Sequence, residues 1–533
     1  MSLSPLSDIT EISKILLYYE KNKDKNWSEW LSYHNSFSKQ GKQGLTGLIK
    51  LDNLDSEKNK CVFKISQYIN HLVQHESTIM AGLNEIAAFC PHFCKYIGTI
   101  NTKIDPKSRK VGNPFNIETK YPIEKEVLLC DYIDKSYKLY NYIKASNEKI
   151  NENILYSTIK QVLLATSIAQ KKKKFTHYDL HSFNVMMKRC HKDLVFLYVL
   201  DEENQFAIPT LGHYPIIIDF GFSYIENLDD GPLWPSMGHT NVGFTSDRFD
   251  WVSDPKLFLV TVSNEIKSKR ATKKSHKFRR IVKNLFHPLK IDWESGWDEG
   301  IEYAASDHIL ELISNYNPGS VLFKEYEHYC IDLLLTLIIL PLEEQDYTSI
   351  HQPYESFVTE FLKIENQISS PFYNLYILKG IVDSARFVRA GYMEKSTRQD
   401  ALKTFRNQIN DKVQEVVTFC KLTGLNFEIM LCSLLNFSRD SEGVLYDIIS
   451  TRMAEKEQEY KKLPLKSCEQ IFAAIEVNLP SEYNYNENTQ IVILDTVNEN
   501  CSTFELPKDQ IENINKIHDI SKGTYIFDLF KNK

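Results

Sequence analysis

In the first third of the chain, stretches with apolar residues at helical spacing alternate with stretches that have the pattern of strands. Residues 8–37 repeat them at helical spacing, which predicts a helical extension packed on the next domain. A glycine-containing stretch, 41–51, leads into an apolar strand at 61–64. Residues 67–88 have one apolar helical face, and 126–133 has the composition of a further strand. The pattern predicts a small β-rich domain with one packed helix.

The rest of the chain is predicted to be richer in helices. Residues 151–172 form a strong amphipathic pattern that ends at a short polar loop. A strand is predicted at 195–200, followed by a turn at 201–204. Further along, the predicted elements are a strand at 215–218, a helix at 257–260, a buried helix at 331–342, nearly continuous helix over 354–475 and a strand at 490–494.

Polar residues at two of these junctions suggest phosphoryl-transfer chemistry. Asp179 and Asn184 lie on the short loop after the 151–172 helix, and Asp219 ends the later isoleucine strand, just before Phe220-Gly221. Glycine lets the backbone turn away at once, so the Asp219 carboxylate would face a cleft. Phosphoryl transfer needs one carboxylate to orient the attacking hydroxyl, and an amide with a second carboxylate to hold Mg²⁺.

The two runs resemble the signatures of the protein-kinase superfamily, H-R-D-L-x-x-x-N and D-F-G. Here they read His177-Tyr-Asp179-Leu-His-Ser-Phe-Asn184 and Asp219-Phe-Gly221. The resemblance implies an α+β, two-lobed kinase-like fold, with a small antiparallel β lobe and a helical lobe, plus a mostly helical C-terminal region. It makes Asp179 and His181 catalytic residues, and Asn184 and Asp219 ligands of Mg²⁺ or Mn²⁺. The implied cofactor is ATP.

Lys64 is the second feature that this resemblance explains. The run Cys61-Val-Phe-Lys64 fits V-A-I-K, and a lysine within an apolar strand is costly to bury without a partner. The resemblance gives Lys64 the α- and β-phosphates and predicts a glutamate partner on the following helix. Glu76 belongs with the apolar face of that helix, whereas Glu85 is about half a turn out of phase and is predicted to face solvent. We therefore choose Glu76.

The nucleotide contacts follow from the same alignment. The glycine-rich loop G-x-G-x-x-G-x-V is matched on Gly44, Gly47 and Ile49, with Lys42 where the first glycine would stand. Read alone, these glycines also fit an ordinary turn. The backbone of Asp131 and Ile133 would meet adenine, and Ile49, Val62 and Met186 would enclose it. Core packing explains these three apolar residues equally well.

Some positions depart from the protein-kinase pattern. Tyr178 replaces the usual arginine, His181 replaces a lysine or arginine, and no A-P-E follows Gly221. The H-x-D-L-H-x-x-N spelling is also found in phosphotransferases acting on aminoglycosides and choline. Asp250 and Asp254 both remain candidates for bracing the polar loop. The favoured function is a divergent Ser/Thr protein kinase, similar to those of large nucleocytoplasmic DNA viruses. The alternatives are a small-molecule kinase and an idle kinase fold with a structural or binding role, for example in a virion.

Composition limits the possible partners and compartments. The net charge of −7 gives no global reason to expect nucleic-acid binding. The basic run at 266–283 is interpreted as a solvated segment, with a patch for acidic substrates or nucleic acid as the alternative. No signal peptide or bilayer-spanning run is predicted, and scattered cysteines indicate reduced thiols, so a cytoplasmic location is expected, in host cytoplasm or a virion if viral. A protein substrate is expected. The predicted domains are a helical extension (1–37), small lobe (38–133), large lobe (134–345) and mostly helical C-terminal domain (346–533), which would dock a partner.

Overall fold

The computed structural model describes most of the N-terminal half of the chain and its C-terminal end. It covers residues 5–36, 44–54, 59–66, 70–104, 113–115, 117, 123–144, 150–226, 237–240, 243–246, 249–267, 273–289, 458, 460–517 and 521–531. The predicted boundary at 345/346, the helix at 331–342 and most of the helical stretch 354–475 lie outside these residues. What is described is a mixed α+β structure.

An antiparallel sheet forms the N-terminal part. Its strands are β1 (Leu31–Ser36), β2 (Gly44–Leu51), β3 (Lys60–Ser66), β4 (Tyr96–Ile104) and β5 (Ile123–Asp131), in the order β1-β2-β3-β5-β4. Helix α2 (Asn70–Ala87) follows β3 and buries Ile79, Met80 and Leu83 against it. The predicted alternation of strands and one packed helix is therefore present in this region.

The N-terminal segment covers the edge of this sheet. Helix α1 (Pro5–Asn22) contacts β4, where the Tyr19 hydroxyl donates to the Thr99 carbonyl at 2.9 Å. Gly98 permits this approach, because a Cβ there would lie 2.0 Å from Tyr19 Cζ. Residues 31–36 were predicted as part of the helical extension and form strand β1 instead. Pairing with β2 satisfies the backbone groups on the inner side of this edge strand and buries Leu31 opposite Leu51.

Helix α4 is the central element of the following part. The elements before it are β6 (Ser136–Lys138) and α3 (Leu139–Lys144), and α4 itself spans Glu152–Lys173. Every residue from Leu155 to Gln170 is buried, so the helix is enclosed on all sides. Asn151 caps its first turn, and Lys174 ends it in a left-handed conformation with φ 47°. The chain then enters the polar loop, residues 176–184.

Short strands and two helices surround the polar loop. Strands β7 (Val185–Arg189) and β10 (His213–Ile217) pair antiparallel, and β6 lies beside β7. In sequence, β8 (Leu194–Val199) and β9 (Gln205–Pro209) lie between β7 and β10 and form a hairpin in a separate sheet. The predicted turn at 201–204 is confirmed, because Asp201 Oδ1 accepts hydrogen bonds from the amides of Glu203 and Asn204. The remaining elements here are β11 (Met237–Thr240), β12 (Gly243–Ser246), α5 (Ser253–Lys267) and α6 (Lys273–Leu285).

The C-terminal end of the chain is built into this structure through strand pairing. The predicted strand at 490–494 is confirmed as β13 (Gln490–Asp495), which runs parallel to β8, with Ile493 opposite Leu197. Strand β14 (Asn500–Glu505) extends the sheet to the order β14-β13-β8-β9. Helices α7 (Cys468–Asn478), α8 (Ile511–Lys516) and α9 (Ser521–Lys531) complete this end. The described part of the predicted C-terminal domain thus shares a sheet with residues 194–209.

Charged residues also join α4 to the C-terminal end. Lys171 forms an ion pair with Glu469, and Lys172 pairs with Glu499 at 2.6 Å. The next residue, Lys173, pairs with Glu85 of α2 at 2.5 Å. Deeper inside, Lys160 Nζ lies 2.6 Å from Glu476 Oε2, and both side chains are at least 95% buried. No helix in the described parts of the chain is long and apolar enough to cross a membrane.

The buried pair of Lys160 and Glu476 gives a test of this packing. Lys160→Met should lower the free energy of unfolding by about 3–5 kcal/mol, because it leaves the Glu476 carboxylate buried without its cation. Adding Glu476→Leu should recover much of that loss. Urea unfolding of the single and double variants measures both effects.

The exposed pair of Lys516 and Glu512, 2.7 Å apart, is the matched control, and Lys516→Met should leave the unfolding midpoint unchanged. Unfolding of Lys160→Met at the wild-type midpoint would show that the C-terminal helix α7 does not pack on α4 through this pair.

Candidate active site

The polar loop is held in place from below by helix α5. Asp254, completely buried in the first turn of α5, accepts hydrogen bonds from the amides of His177 at 2.7 Å and Tyr178 at 2.9 Å. Asp250 has a different task, since its Oδ1 accepts from the amides of Val252 and Ser253 at the start of α5. Of the two candidates, Asp254 is the one that braces the loop.

Asp179 is fixed by two other residues of the loop. Asn184 Nδ2 donates to the Asp179 carbonyl at 2.9 Å and to its carboxylate Oδ2 at 3.0 Å. Because both contacts use the amide nitrogen, the amide oxygen of Asn184 is left for another partner. On the other side, His181 Nε2 lies 3.3 Å from Asp179 Oδ1. The carboxylate is therefore held on both oxygens and cannot rotate freely.

His181 itself is held in a defined orientation. Its Nδ1 accepts a hydrogen bond from the Phe183 amide at 3.2 Å, so the proton that faces Asp179 is on Nε2. Burial would lower the pKa of His181, but the Asp179 carboxylate, aided by Glu265, outweighs it and raises the pKa. Beneath it, the Ser182 hydroxyl donates to Glu265 Oε1 of α5 at 2.6 Å. The loop is anchored to α5 at both of its ends.

A second group of charges lies on the neighbouring sheet and helix. Lys64 Nζ of β3 is 2.5 Å from Glu76 Oε1 of α2 and 2.9 Å from Asp219 Oδ1. Glu76 Oε1 also accepts from the amide of Phe220 at 3.2 Å. Burial works against the charge on Lys64, but Asp219 and Glu76 outweigh it and raise the pKa of the ammonium well above its usual value. Lys64 in turn lowers the pKa of Asp219. Burial raises the pKa of Glu76, and the neighbouring Lys64 ammonium opposes that rise. The shifts of Lys64 and Asp219 both favour their charged forms.

Strand pairing brings the two groups together. Val185 of β7 pairs with Ile217 of β10, and the Ile218 amide donates to the Asn184 carbonyl at 3.0 Å. Asn184 and Asp219 therefore sit at the same end of two adjacent strands. Asp219 has φ 71° and Tyr178 has φ 61°, conformations that cost of order 1–3 kcal/mol each in a non-glycine residue and concentrate at functional sites.

The arrangement offers ligands suited to a hard cation. About half of the Asp219 side chain is exposed, and only its Oδ1 faces Lys64. Together with the Asn184 amide oxygen, this is one carboxylate and one amide, a set that suits Mg²⁺, which keeps several waters and takes its other ligands from phosphates. Among the described residues there is no cluster of three or more His, Cys, Asp or Glu that could hold a metal by itself.

The register of β2 and β3 places the predicted nucleotide contacts of these strands on two different faces of the sheet. Val62 and Lys64 lie on one face of the sheet, and Cys130 lies directly opposite Val62 on β5. Ile49 pairs with Cys61, so it points to the other face and is completely buried there. Its role as a nucleotide contact stays a prediction, although this register places it on the face opposite Lys64, because a shift of one residue along a strand reverses the face.

Leu48 was not among the nucleotide contacts predicted from the sequence. It pairs with Val62 and shares the face of Lys64. Counting alternate positions from Lys64 across the hairpin would have identified it. Gly44 and Gly47 lie within β2, opposite Ser66 and Phe63, rather than in a loop. Lys42 lies outside the described residues. Asp131 is the last residue of β5, and Ile133 lies two residues further on, before β6. Met186 of β7 pairs with Lys138 of β6.

Comparison with known proteins gives relatives from viruses. No protein-family model matches the chain. It is similar to uncharacterized protein 098R of Invertebrate iridescent virus 6, with 29% identity over 517 residues that cover 87% of this chain and 85% of the relative. It is also similar to uncharacterized protein 038R of Invertebrate iridescent virus 3, with 28% identity over 500 residues and 88% of each chain covered. Neither relative's name states an activity, so the function has to be inferred from the site.

The two aspartates at the start of α5 make a matched pair for testing the loop anchor. Asp254→Asn keeps the shape but turns one acceptor oxygen into a donor that faces the amides of the loop. We expect a loss of about 1–3 kcal/mol in the free energy of unfolding. Asp250→Asn should have little effect, because asparagine caps helices as well as aspartate does. Thermal unfolding of both variants measures the difference, and equal losses would contradict the assignment of Asp254.

Proposed function

We propose that the protein is an ATP- and Mg²⁺-dependent phosphotransferase with the two-lobed architecture of protein kinases. In this proposal β1–β5 with α2 form the small lobe, and α4–α6 with the short strands form the large lobe. The observation that carries it is the position of the Lys64 ammonium, which contacts Glu76 of α2 and Asp219 after β10 at the same time. A cation placed this way can hold nucleotide phosphates next to a metal-binding carboxylate.

Each residue then has a task that its contacts support. Lys64, held by Glu76, would bind the α- and β-phosphates, and Asn184 and Asp219 would hold Mg²⁺, which neutralises phosphate charge when bound. Asp179, fixed on both oxygens, would orient the acceptor hydroxyl and accept its proton. Val62, Leu48 and Met186 would enclose the adenine, whose polar edge would meet the backbone of Asp131 and Ile133.

A serine or threonine of a protein is the acceptor we favour. A small-molecule alcohol is the second candidate, and the contact of His181 with Asp179 favours it, since this H-x-D-L-H spelling resembles kinases of aminoglycosides and choline. An idle fold is the third, and the intact set of charged groups argues against it. Given viral relatives, we propose action in the cytoplasm of an infected host or within a virion, with the C-terminal end as a docking region.

Nucleotide binding tests the proposal first. Wild type should show a thermal shift with ATP only when Mg²⁺ or Mn²⁺ is present, and should transfer the labelled γ-phosphate to a protein or alcohol acceptor. Asp219→Asn should remove the metal dependence, because an amide binds Mg²⁺ more weakly than a carboxylate does. The absence of any metal-dependent shift in wild type would support the idle fold instead.

Three substitutions test which residues contribute to the proposed phosphate site. Lys64→Met should reduce turnover by about 100-fold or more, because it removes the phosphate-binding cation. Glu76→Gln should reduce turnover less, since Lys64 can still reach phosphate oxygens. Glu85→Gln is the control on the same helix, because its side chain is 71% exposed and pairs only with Lys173 in the described structure. If Glu85→Gln were the most damaging change, Glu76 would not be the partner that positions Lys64 for the phosphates.

A further inference from the structure

An aromatic wall stands beside Asp179 and has no task in the proposed reaction. Phe183, between Ser182 and Asn184 of the polar loop, stacks on Tyr140 of α3 with ring centroids 3.8 Å apart and planes at 21°. Both neighbours of Phe183 in the loop are buried, yet its own side chain is 36% exposed. Its ring also meets the edge of His181 at 5.7 Å. The wall therefore begins at the residue that contacts Asp179.

The charge above this wall is positive. Lys138 Nζ, at the end of β6, lies 5.7 Å from the centre of the Phe183 ring, and Lys144 Nζ lies 6.0 Å from that of Tyr140. Burial lowers the pKa of Lys138, and the Asp219 carboxylate opposes this lowering. The Lys138 ammonium is therefore within electrostatic range of Asp219, the proposed metal ligand.

In the described part of the chain, three acidic residues near the wall have partners. Asp179 is held by Asn184 and His181, and Glu265 holds Ser182 beneath the loop. Asp134, on the turn before β6, lies 3.7 Å from Lys188. A basic acceptor segment would be repelled by the Lys138 cation here. An acidic segment with an apolar neighbour would pair with this cation and pack on the aromatic rings.

We propose that Lys138, Phe183 and Tyr140 form an acceptor subsite that binds an acidic peptide segment next to the serine or threonine hydroxyl. An aromatic or aliphatic side chain of the peptide would lie on the Phe183 ring, and a carboxylate would pair with Lys138. This inference rests on the proposed function and specifies its substrate class. It also separates a protein acceptor from a small alcohol, which has no residue to place on the wall.

Two fluorescent peptides test the subsite by equilibrium binding. Both contain one serine and one phenylalanine, and they differ only in having glutamate or lysine beside the serine. Wild type with Mg²⁺ and ATP should bind the glutamate peptide about tenfold more tightly and phosphorylate it with the higher kcat/KM. Lys138→Glu should reverse the preference, and Phe183→Ala should weaken binding of both peptides. Lys135→Glu, the same charge change at an exposed position on the adjacent turn, should preserve the wild-type preference.

The outcomes distinguish this inference from the proposed function. Equal binding of the two peptides by wild type, or an unchanged preference in Lys138→Glu, would overturn the subsite even if ATP is bound and turned over. Binding of the glutamate peptide that depends on Lys138 would support the subsite even in a protein that transfers no phosphate. Failure of the proposed function would be seen separately, as the absence of a metal-dependent shift with ATP.

Discussion

The requirement to pair one partly buried lysine accounts for much of the architecture. Lys64 stands in the interior strand β3, where an unpaired ammonium would cost several kcal/mol. Glu76 and Asp219 supply the opposite charge, and they come from α2 and from the segment directly after β10. The sheet, the helix and the loop must therefore be in one mutual position for the charge to be satisfied. That position is also the one in which phosphates and a metal ion could bind.

Helix α4 gives this arrangement a rigid base. It is buried along most of its length, and its C-terminal end delivers the polar loop, which Asp254 and Glu265 of α5 then fix from beneath. The C-terminal end of the chain packs on the same helix through the Lys160–Glu476 pair and through β13 on β8. The last 70 or so residues therefore pack against the helix that leads into the polar loop.

Local patterns predicted the parts of the site whose geometry is set by a single element. Helical periodicity separated Glu76, which faces Lys64, from exposed Glu85, and an isoleucine strand ending at Asp219 placed that carboxylate correctly relative to Asn184. Where pairing between elements decides, the sequence was insufficient. Ile49 was named without the hairpin register, which places Leu48 on the face of Lys64. Asp250 could not be separated from Asp254 without the position of α5. The pairing of β13 with β8 could not be predicted, because the two strands are far apart in the sequence. Thr496, directly after β13, and Val199 of β8 are 297 positions apart along the chain.

The central claim is that Lys64, Asn184 and Asp219 form one site for a metal–nucleotide complex. A crystal structure of the protein with Mg²⁺ and a non-hydrolysable ATP analogue tests it most directly. The account predicts a metal ion bound by the Asn184 amide oxygen and the Asp219 carboxylate, phosphates on Lys64, and the base between Val62, Leu48 and Met186. A nucleotide bound elsewhere, or a metal bound without these two residues, would contradict it.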